Sequence, residues 1–256
     1  MEINQEKIKS IRAEIYRRYT AKTPKSHNYN IAACKSLAGG VSGNLRLLLP
    51  YPIYMSHGNG SMIYDIDGNE YIDCFLCSGA LLLGHQHPAI TEAMRSALEK
   101  GSLIFNTELA AECAGLIKET IPCAERIRFS NSGTEAVSGA VRIARAYTRK
   151  NKIIKFNGHY HGQNDPFLTA IKDGQPGPIG PGITEASQVE TVSLPFNDID
   201  LIRKVMSSDN DIAAVILDPQ MTMGGIFPAE QEFLIALRRL THKHGIDLIF
   251  DEVVTG

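Results

Sequence analysis

The residues best suited to hold an anion lie in the turn "RFSNSGTEA", residues 128–136. Ser132, Gly133 and Thr134 are small, so backbone N–H groups and hydroxyls at the start of the following helix can converge on one negative group. The same residues also fit an ordinary helix cap, with Ser132 as N-cap and Glu135 three positions later. The turn lacks the G-x-x-x-x-G-K-[ST] pattern, so it does not indicate a Walker nucleotide site.

Two apolar segments end on a carboxylate. "AAVILD" ends at Asp218, and "DLIFDE" reads as a buried strand, Asp247 to Asp251, followed by Glu252. A carboxylate at the end of a buried strand is costly unless it is paired, so each acid requires a partner. A basic ligand atom is one such partner. A helix cap or an arginine is the alternative, and for Asp218 the sequence leaves both open.

An aromatic residue follows a third apolar segment. Tyr160 lies in "FNGHYHG", directly after "KIIKF", and a side chain at the carboxyl end of a strand can lie against a flat ligand. The alternative is that Tyr160 covers the core. His159 and His161, with Asp165, form only a weak metal-binding pattern, and we predict no metal site.

These features together describe one ligand, with a phosphate at one end, a flat ring in the middle and a basic nitrogen at the other end. Pyridoxal 5′-phosphate (PLP) has that shape. The turn at residues 132–134 suits its phosphate, Tyr160 its ring and Asp251 its pyridine nitrogen. A carboxylate beside that nitrogen keeps it protonated, so the ring can withdraw electrons from the substrate's α-carbon.

The segments that carry these residues alternate between strand and helix. Strands are predicted at "RIRF", "KIIKF", "AAVIL" and "DLIF", and helices at "PAITEAMRSALEKG", from Thr107 to about Lys118, at "TEAVSGAVRIARAYTRK" and at "AEQEFLIALRRLTHKHG". This alternation predicts an α/β fold with a mainly parallel sheet covered by helices on both faces. The stretch "DGQPGPIGPG", residues 173–182, is predicted to be a surface loop.

The N-terminal part of the chain has a different pattern. Apolar residues recur at helical spacing among basic ones in the first twenty residues, at Ile8, Ile11, Ile15 and Tyr19. This predicts an amphipathic helix packed on its own protein or on a partner subunit, rather than on a membrane surface. A loop-rich stretch, "TPKSHNYNIAACKSLAGGVSGN", follows, and then a hairpin in "GSMIYDIDGNEYIDCF", whose Asp-Gly pair suits a tight turn.

The composition argues against several classes of protein. A formal net charge of −2 gives no global attraction to nucleic acid or to an anionic membrane. No apolar run reaches the roughly 18 residues that a membrane span needs, and the N-terminus lacks the apolar core of a secretory signal. The five cysteines do not indicate a disulfide framework, so we expect a reducing, cytoplasmic location.

Six stretches, in this order, resemble class III aminotransferases of PLP fold type I, most closely the glutamate-1-semialdehyde 2,1-aminomutase branch: "GGVSGNLR", "DIDGNEYIDC", "LLLGHQHPAI", "SNSGTEAVSGAVRIARAYT", "FNGHYHG" and "FDEVVTG". The resemblance implies PLP as cofactor, a small-molecule amino donor and acceptor, and a homodimer. It divides the chain into residues 1–75, a small-domain or dimer-arm part, and residues 76–256, a large PLP-binding domain that is incomplete at its C-terminus.

The resemblance also assigns roles to individual residues. The turn at residues 132–134 matches the phosphate-binding turn, Tyr160 the aromatic residue that stacks on the ring, and Val253 the apolar residue under its other face. Asp251 matches the catalytic acid at the pyridine nitrogen. Arg46 stands where the aminomutase branch has an arginine near the substrate carboxylate, which a guanidinium can bind through two parallel hydrogen bonds.

Three departures from the family bear on the reaction. The predicted cofactor-binding Asp218, followed by Pro219, replaces the usual Glu-Pro and is one methylene shorter. Met223 stands where an asparagine near the cofactor's phenolic oxygen is expected. The lysine that joins the cofactor as a Schiff base lies downstream of the Asp-Glu-Val strand in the family and is not in this chain. We therefore expect a piece of a longer enzyme that is inactive alone.

The activity expected of the complete enzyme is PLP-dependent amino-group transfer, as an aminotransferase or a 2,1-aminomutase, on an amino acid or on an amino-aldehyde or keto substrate. Asp218 and Met223 leave open a class III racemase or decarboxylase. The missing lysine leaves open an inactive fragment or interaction module that retains the fold.

Overall fold

The computed structural model describes residues 4–101, 105–172 and 175–256 of the 256-residue chain. The chain divides into two compact units, Met1–Asn106 and Thr107–Gly256. The predicted domain boundary after residue 75 lies inside the first unit. Within the described residues, no helix combines the length and the apolar character that crossing a membrane requires.

In its described part, the first unit contains three helices and a small antiparallel sheet of three strands in the order β1-β2-β3. Its elements are α1 (Gln5–Lys22), α2 (Pro24–Ala33), β1 (Met55–Asn59), β2 (Met62–Asp65), β3 (Glu70–Ile72) and α3 (Pro88–Glu99), with short 3-10 turns at Ala38–Gly40 and Asn44–Arg46. The N-terminal helix, the hairpin of β2 and β3, and the helix from Pro88 are confirmed.

One prediction for the first unit is wrong. The stretch expected to be loop-rich contains α2, which begins at Pro24. Proline suits the first turn of a helix because its missing N–H would have no partner there. The ten residues of α2 contain too few apolar side chains to show a helical period, so Pro24 was the one available signal for this helix.

Within its described residues, the second unit contains four helices and a parallel sheet of four strands in the order β11-β8-β4-β7. Its elements are α4 (Glu108–Thr120), α5 (Gly133–Thr148), β4 (Lys152–Phe156), β5 (Thr169–Lys172), β6 (Gln175–Pro178), β7 (Thr191–Leu194), α6 (Ile199–Ser208), β8 (Ile212–Leu217), β9 (Gln220–Met221), β10 (Phe227–Pro228), α7 (Gln231–His244) and β11 (Asp247–Phe250). The predicted α/β fold with a parallel sheet is confirmed.

Both faces of this sheet are covered, as a parallel sheet requires. All six residues of β8 are buried, and their side chains divide between two different clusters. Towards α6 and α7 the cluster contains Ile154, Phe156, Val215, Leu217, Ile202, Met206, Phe233 and Leu237. Towards α5 it contains Ile153, Ala214, Ile216, Val137, Val141, Ala144 and Phe167.

Three sequence predictions for the second unit need correction. "RIRF" at residues 126–129 forms no strand, because no described strand lies alongside to pair with it. The expected loop at 173–182 contains β6, which pairs antiparallel with β5, while residues 173 and 174 lie outside the described residues. The last strand is only partly buried and ends at Phe250, because β11 is an outer strand of the sheet.

The strand order determines where a ligand can bind. The chain leaves β4 towards β7 on one side, and leaves β8 towards β11 on the other. Where connections diverge from neighbouring parallel strands, a crevice opens outside their carboxyl ends. Residues 157–161, Asp218 and Asp251, which follow β4, β8 and β11, therefore come to the same edge of the sheet.

Candidate active site at the carboxyl edge of the sheet

A buried histidine–aspartate pair joins the ends of β4 and β11. Asp251 Oδ2 lies 2.8 Å from His161 Nδ1, and the side chains are 7% and 0% exposed. The N–H of Asp251 donates to the carbonyl of Leu217 at 2.8 Å, and its Oδ1 accepts from the N–H of Val253 at 3.2 Å. Because an ionised carboxylate only accepts hydrogen bonds, His161 is the donor in the pair.

The loop after β4 is held against the first turn of α5. Gly162 has φ of +93°, and a Cβ at this position would lie 2.6 Å from Thr134 Oγ1 and 2.8 Å from Thr134 Cα. The next residue, Gln163, donates its N–H to Thr134 Oγ1 at 3.2 Å. Only glycine fits both the backbone angle and the space, so Gly162 brings His161 beside the start of α5.

The start of α5 forms a capped turn. Ser132 Oγ accepts from the N–H of Glu135 at 3.2 Å, and the Glu135 carboxylate accepts from the N–H of Asn131 at 2.8 Å. A Cβ at Gly133 would lie 2.9 Å from Val253 Cγ2, so the predicted anion turn lies directly beside the segment that carries Asp251. The structure thus brings together residues 132–134, Asp251 and Val253, and adds His161.

Asp218 lies at the same edge, but its own turn occupies its carboxylate. One oxygen accepts from the N–H of Gln220 at 3.0 Å, and the other accepts from the N–H of Thr222 at 3.0 Å and from its hydroxyl at 2.6 Å. Asp218 thus caps its own turn, which is neither the helix cap nor the arginine partner that the sequence left open, and direct contact of Asp218 with a cofactor stays a prediction. The N–H of Asp218 donates to His159 Nδ1 at 3.0 Å.

His159 is buried beside His161, with ring centroids 5.8 Å apart. Burial lowers the pKa of His159 to about 4, and the neighbouring His161 acts in the same direction. His159 is therefore neutral at physiological pH.

Tyr160 and Val253 present apolar surface at this edge. Their side chains remain 45% and 63% exposed, so Tyr160 does not fill the core. Met223 is also exposed, in the 3-10 turn Thr222–Gly224 that follows Asp218. Arg46 lies in the first unit, is exposed, and donates to the hydroxyl of Ser42. The binding roles of these residues stay predictions.

A buried lysine supports the loop that packs on His161. Lys155 Nζ, on β4, donates to the carbonyls of Phe167 at 2.7 Å and Thr169 at 3.0 Å, and burial lowers its pKa to about 8. The ring of Phe167 meets His161 edge-on, with centroids 6.2 Å apart. Lys155 thus fixes the segment that excludes water from one side of His161.

Sequence reasoning missed the roles of His161 and Lys155. It considered His161 only as a weak metal ligand, and among the described residues no group of three or more His, Cys, Asp or Glu side chains is placed to hold a metal ion. The available signal for His161 was the alternation of residues 159–161. In an extended chain, the side chains of His159 and His161 lie on one side and that of Tyr160 lies on the other. Lys155, a lone cation inside "KIIKF", was a second signal.

Known proteins resemble this chain along most of its length. The family "Aminotransferase class-III" matches residues 48–256. Glutamate-1-semialdehyde 2,1-aminomutase of Thermodesulfovibrio yellowstonii is 43% identical over 244 residues, which are 92% of this chain and 57% of that protein. The chain thus spans about half the length of the curated relatives it matches.

Solved structures share the fold described above. An omega-transaminase from Sphaerobacter thermophilus superposes with a TM-score of 0.86 at 38% identity, covering 90% of this chain and 55% of that one. A transaminase with PLP bound superposes with a TM-score of 0.83 at 36% identity, over the same shares of the two chains.

Proposed function

Because this chain belongs to the class-III aminotransferase family, we propose that its second unit binds PLP at the carboxyl edge of the parallel sheet. We propose further that the whole protein transfers an amino group, as an aminotransferase or 2,1-aminomutase, on an amino acid or an amino-aldehyde or keto substrate. Support comes from the 43% identical aminomutase and from the 38% identical omega-transaminase.

The turn at residues 132–134 has free donors for a phosphate. Ser132 Oγ and Thr134 Oγ1 each accept a backbone hydrogen bond, so the hydrogen of each hydroxyl remains available to donate. The first N–H groups of α5 and the positive end of its helix dipole face the same direction. These groups therefore fit a phosphate ester.

The Asp251 carboxylate has acceptor capacity for a protonated ring nitrogen. Each oxygen makes one described hydrogen bond, to His161 or to Val253, and a carboxylate oxygen can accept two. When bound, PLP supplies a pyridinium ring that withdraws electrons from the carbon bearing the amino group, and a carboxylate beside the nitrogen keeps that ring protonated.

The remaining residues of the edge would orient the cofactor and keep water away from it. Tyr160 and Val253 have exposed surfaces that can lie against a flat ring, and His161 holds the Asp251 carboxylate in place. Asp218 orders the turn that carries Met223, where the family has an asparagine. Arg46 would bind the substrate carboxylate.

The observation that carries the proposal is the buried pair of His161 and Asp251 beside the capped turn of α5. Thermal unfolding of the full chain with and without PLP tests it, since a ligand that binds only the folded state raises the unfolding temperature. At a PLP concentration of about 100 times Kd, the gain in unfolding free energy is about 2.7 kcal/mol.

Asp251→Asn keeps the shape of the side chain and removes its charge, so we expect most of the PLP-induced rise to disappear. Asp247→Asn, at the opposite end of the same strand, is the matched control and keeps the rise. Absence of a rise in the unmodified chain, or an equal rise in Asp251→Asn, contradicts PLP binding at this edge.

The reaction and the assembly need separate tests on the whole protein. Product analysis with an amino acid and a keto acid separates amino transfer from racemisation and from decarboxylation, the alternatives that Asp218 and Met223 leave open. We propose a homodimer, and sedimentation equilibrium checks it. A monomer with full activity contradicts that proposal.

A further inference from the structure

A solvent-accessible cavity of about 480 Å³ lies on the α5 face of the parallel sheet, beside the outer strand β7. Its floor is apolar and is formed by Val141, Ile153 and Phe167. Its rim carries polar side chains from α5 and from the segment between β4 and β5. Cavities of about 300–1,000 Å³ with an apolar lining and a few polar groups are typical binding sites for small molecules. None of the residues to which we assign PLP binding is among those that line this cavity.

Two side chains of opposite charge line the cavity without pairing. Arg142, on α5, is exposed, and Asp165, in the segment between β4 and β5, is partly buried. Neither side chain makes a hydrogen bond or an ion pair with another residue that the structure describes. Arg145, the other cation of the rim, is already engaged, since its Nη2 lies 2.9 Å from Glu190 Oε2 and its Nε donates to the carbonyl of Asn151 at 2.7 Å. Arg142 and Asp165 are therefore the charges available to a ligand.

These two charges select the kind of ligand. A simple anion would meet Arg142 but also the like charge of Asp165, and a simple amine would meet Asp165 but also Arg142. A zwitterion satisfies both, because its carboxylate can accept two parallel hydrogen bonds from a guanidinium while its ammonium group donates to a carboxylate. We propose that this cavity binds a free α-amino acid with an apolar side chain, whose carboxylate contacts Arg142 and whose ammonium group contacts Asp165.

The rim of the cavity is linked by hydrogen bonds to the turn at residues 132–134. The amide of Asn164 donates to Ser138 Oγ, which donates to the carbonyl of Thr134 at 2.6 Å. Gln163 donates its N–H to Thr134 Oγ1 at 3.2 Å. Asn164, Ser138 and Gln163 all line the cavity, so an amino acid that fixes them also fixes Thr134. Its binding should thus strengthen binding of a phosphate at the turn. This coupling rests on the proposed function, whereas binding of the amino acid does not.

Isothermal titration calorimetry of the full chain without PLP tests the ligand. The probes are L-leucine, 4-methylpentanoate, which lacks the ammonium group, and 3-methylbutan-1-amine, which lacks the carboxylate. We expect one leucine to bind per chain. Either analogue should bind at least about tenfold more weakly, because it leaves one charged side chain of the cavity without its partner. No saturable binding of leucine below about 10 mM, or an analogue that binds as tightly as leucine, overturns the proposal.

Arg142→Gln and Asp165→Asn test the two contacts separately. In each variant we expect the affinity for leucine to fall about tenfold or more. Arg142→Gln should also lose the preference for leucine over the amine, and Asp165→Asn the preference for leucine over 4-methylpentanoate. A merely structural loss would weaken all three probes alike. Arg239→Gln, on α7 at the other face of the sheet, is the matched control and keeps the wild-type affinities.

Two outcomes with these variants contradict the proposal. One is a leucine affinity that both Arg142→Gln and Asp165→Asn retain. The other is a loss of leucine binding in Arg46→Gln, because leucine would then occupy the proposed substrate position instead of this cavity. The comparison of the three probes needs only the unmodified chain, so it decides the question even where a variant fails to fold.

Pyridoxine 5′-phosphate measures the coupling, because it carries the phosphate ester of PLP but has no aldehyde that would condense with leucine. We expect leucine to tighten binding of this ester about fivefold, and the ester to tighten binding of leucine by the same factor. If the ester does not bind, the proposed function fails while the leucine site stands. If both ligands bind without affecting each other, the link through Thr134 is wrong.

Discussion

Among the residues that the structure describes, each unit contains one close histidine–aspartate pair, and the two pairs have almost the same length. His85 Nε2 lies 2.7 Å from Asp73 Oδ2 in the first unit, and His161 Nδ1 lies 2.8 Å from Asp251 Oδ2 in the second. Their surroundings differ, because the side chain of His85 is 24% exposed and that of His161 is fully buried. The partners of the first pair are 12 residues apart in the sequence, whereas those of the second are 90 residues apart.

The first pair stabilises a local turn. The other oxygen of Asp73 accepts from the N–H groups of Phe75 and Leu76, both at 2.9 Å, and the backbone of His85 pairs with Gly60. The described hydrogen-bond partners of the Asp73 carboxylate thus all belong to its own loop. Asp251 instead receives a partner from the end of another strand and retains acceptor capacity, so burial of the histidine and remote origin of the partner distinguish the acid that we propose to bind PLP from the turn-forming one.

The largest expected effect comes from breaking each pair. Asp251→Ala removes one partner of a buried pair and leaves His161 Nδ1 without its acceptor, so we expect the unfolding free energy of the second unit to fall by about 4 kcal/mol. Asp73→Ala costs less, because water can reach His85. Urea unfolding of both variants measures this, with an unchanged dependence on urea concentration as control. Equal losses would remove the distinction between the pairs.

A smaller effect is expected from one glycine in each region. Gly68, in the hairpin turn, has φ of +91° with open space around it, so Gly68→Ala costs about 1–2 kcal/mol of backbone strain. Gly162 has φ of +93° and meets Thr134 at 2.6 Å, so Gly162→Ala adds a clash and costs about 3 kcal/mol in total. We also expect only Gly162→Ala to abolish stabilisation by PLP. If Gly68→Ala is the more costly change, close packing at the site is not what requires glycine.

Sequence reasoning succeeded where one segment carries its own signal. β8 is predicted correctly because a strand buried on both faces forms a continuous apolar run, and β4 is predicted correctly although Lys155 interrupts its apolar residues. α5 and α7 are predicted correctly because their apolar stripes end at clear boundaries, such as Gly245 after α7. β6 and β7 are short and carry polar or proline residues, so their strand pairing depends on neighbours that the local sequence does not reveal.

The candidate active site shows the same limit of prediction from local sequence. Thr134 could be proposed from the small-residue turn at the start of a helix, and Asp251 from its position at the end of a strand, because parallel strands present their carboxyl ends at one edge. The partnership of Asp251 with His161 joins residues 90 positions apart and follows from strand order, which local patterns do not determine. For the same reason, the sequence left open which partner Asp218 has, and its hydrogen bonds within its own turn became visible only in the fold.

The two regions also differ in how their stability depends on pH, because lowering the pH destabilises the second unit through His159. Its pKa of about 4 lies below the ordinary 6.5, so between these values the unfolded chain binds a proton that the folded chain does not. Stability is therefore full above pH 6.5 and falls as the pH drops towards 4. From pH 7 to pH 5 the loss is about 2 kcal/mol, and urea unfolding at both values should show this loss in the wild type but not in His159→Asn. Parallel losses in both proteins would contradict the assignment to His159.

The smallest effect is expected at Asp73 and appears at lower pH. Backbone hydrogen bonds, first that from Leu76, and the side-chain bond to His85 hold the pKa of Asp73 below its ordinary 3.8. A lowered carboxyl pKa stabilises the fold above the unfolded value, and this gain disappears as the pH falls through the folded value. The advantage of the wild type over Asp73→Asn in unfolding free energy should thus be present at pH 6 and shrink below pH 4, as urea unfolding at pH 6, 5, 4 and 3 can measure.

Because the pair of His85 and Asp73 is partly open to water, about 1 M salt should reduce the same advantage in unfolding free energy, whereas the cost of Asp251→Ala should persist. A salt-sensitive Asp251 pair would mean that solvent reaches it, and the two pairs would then differ in location only.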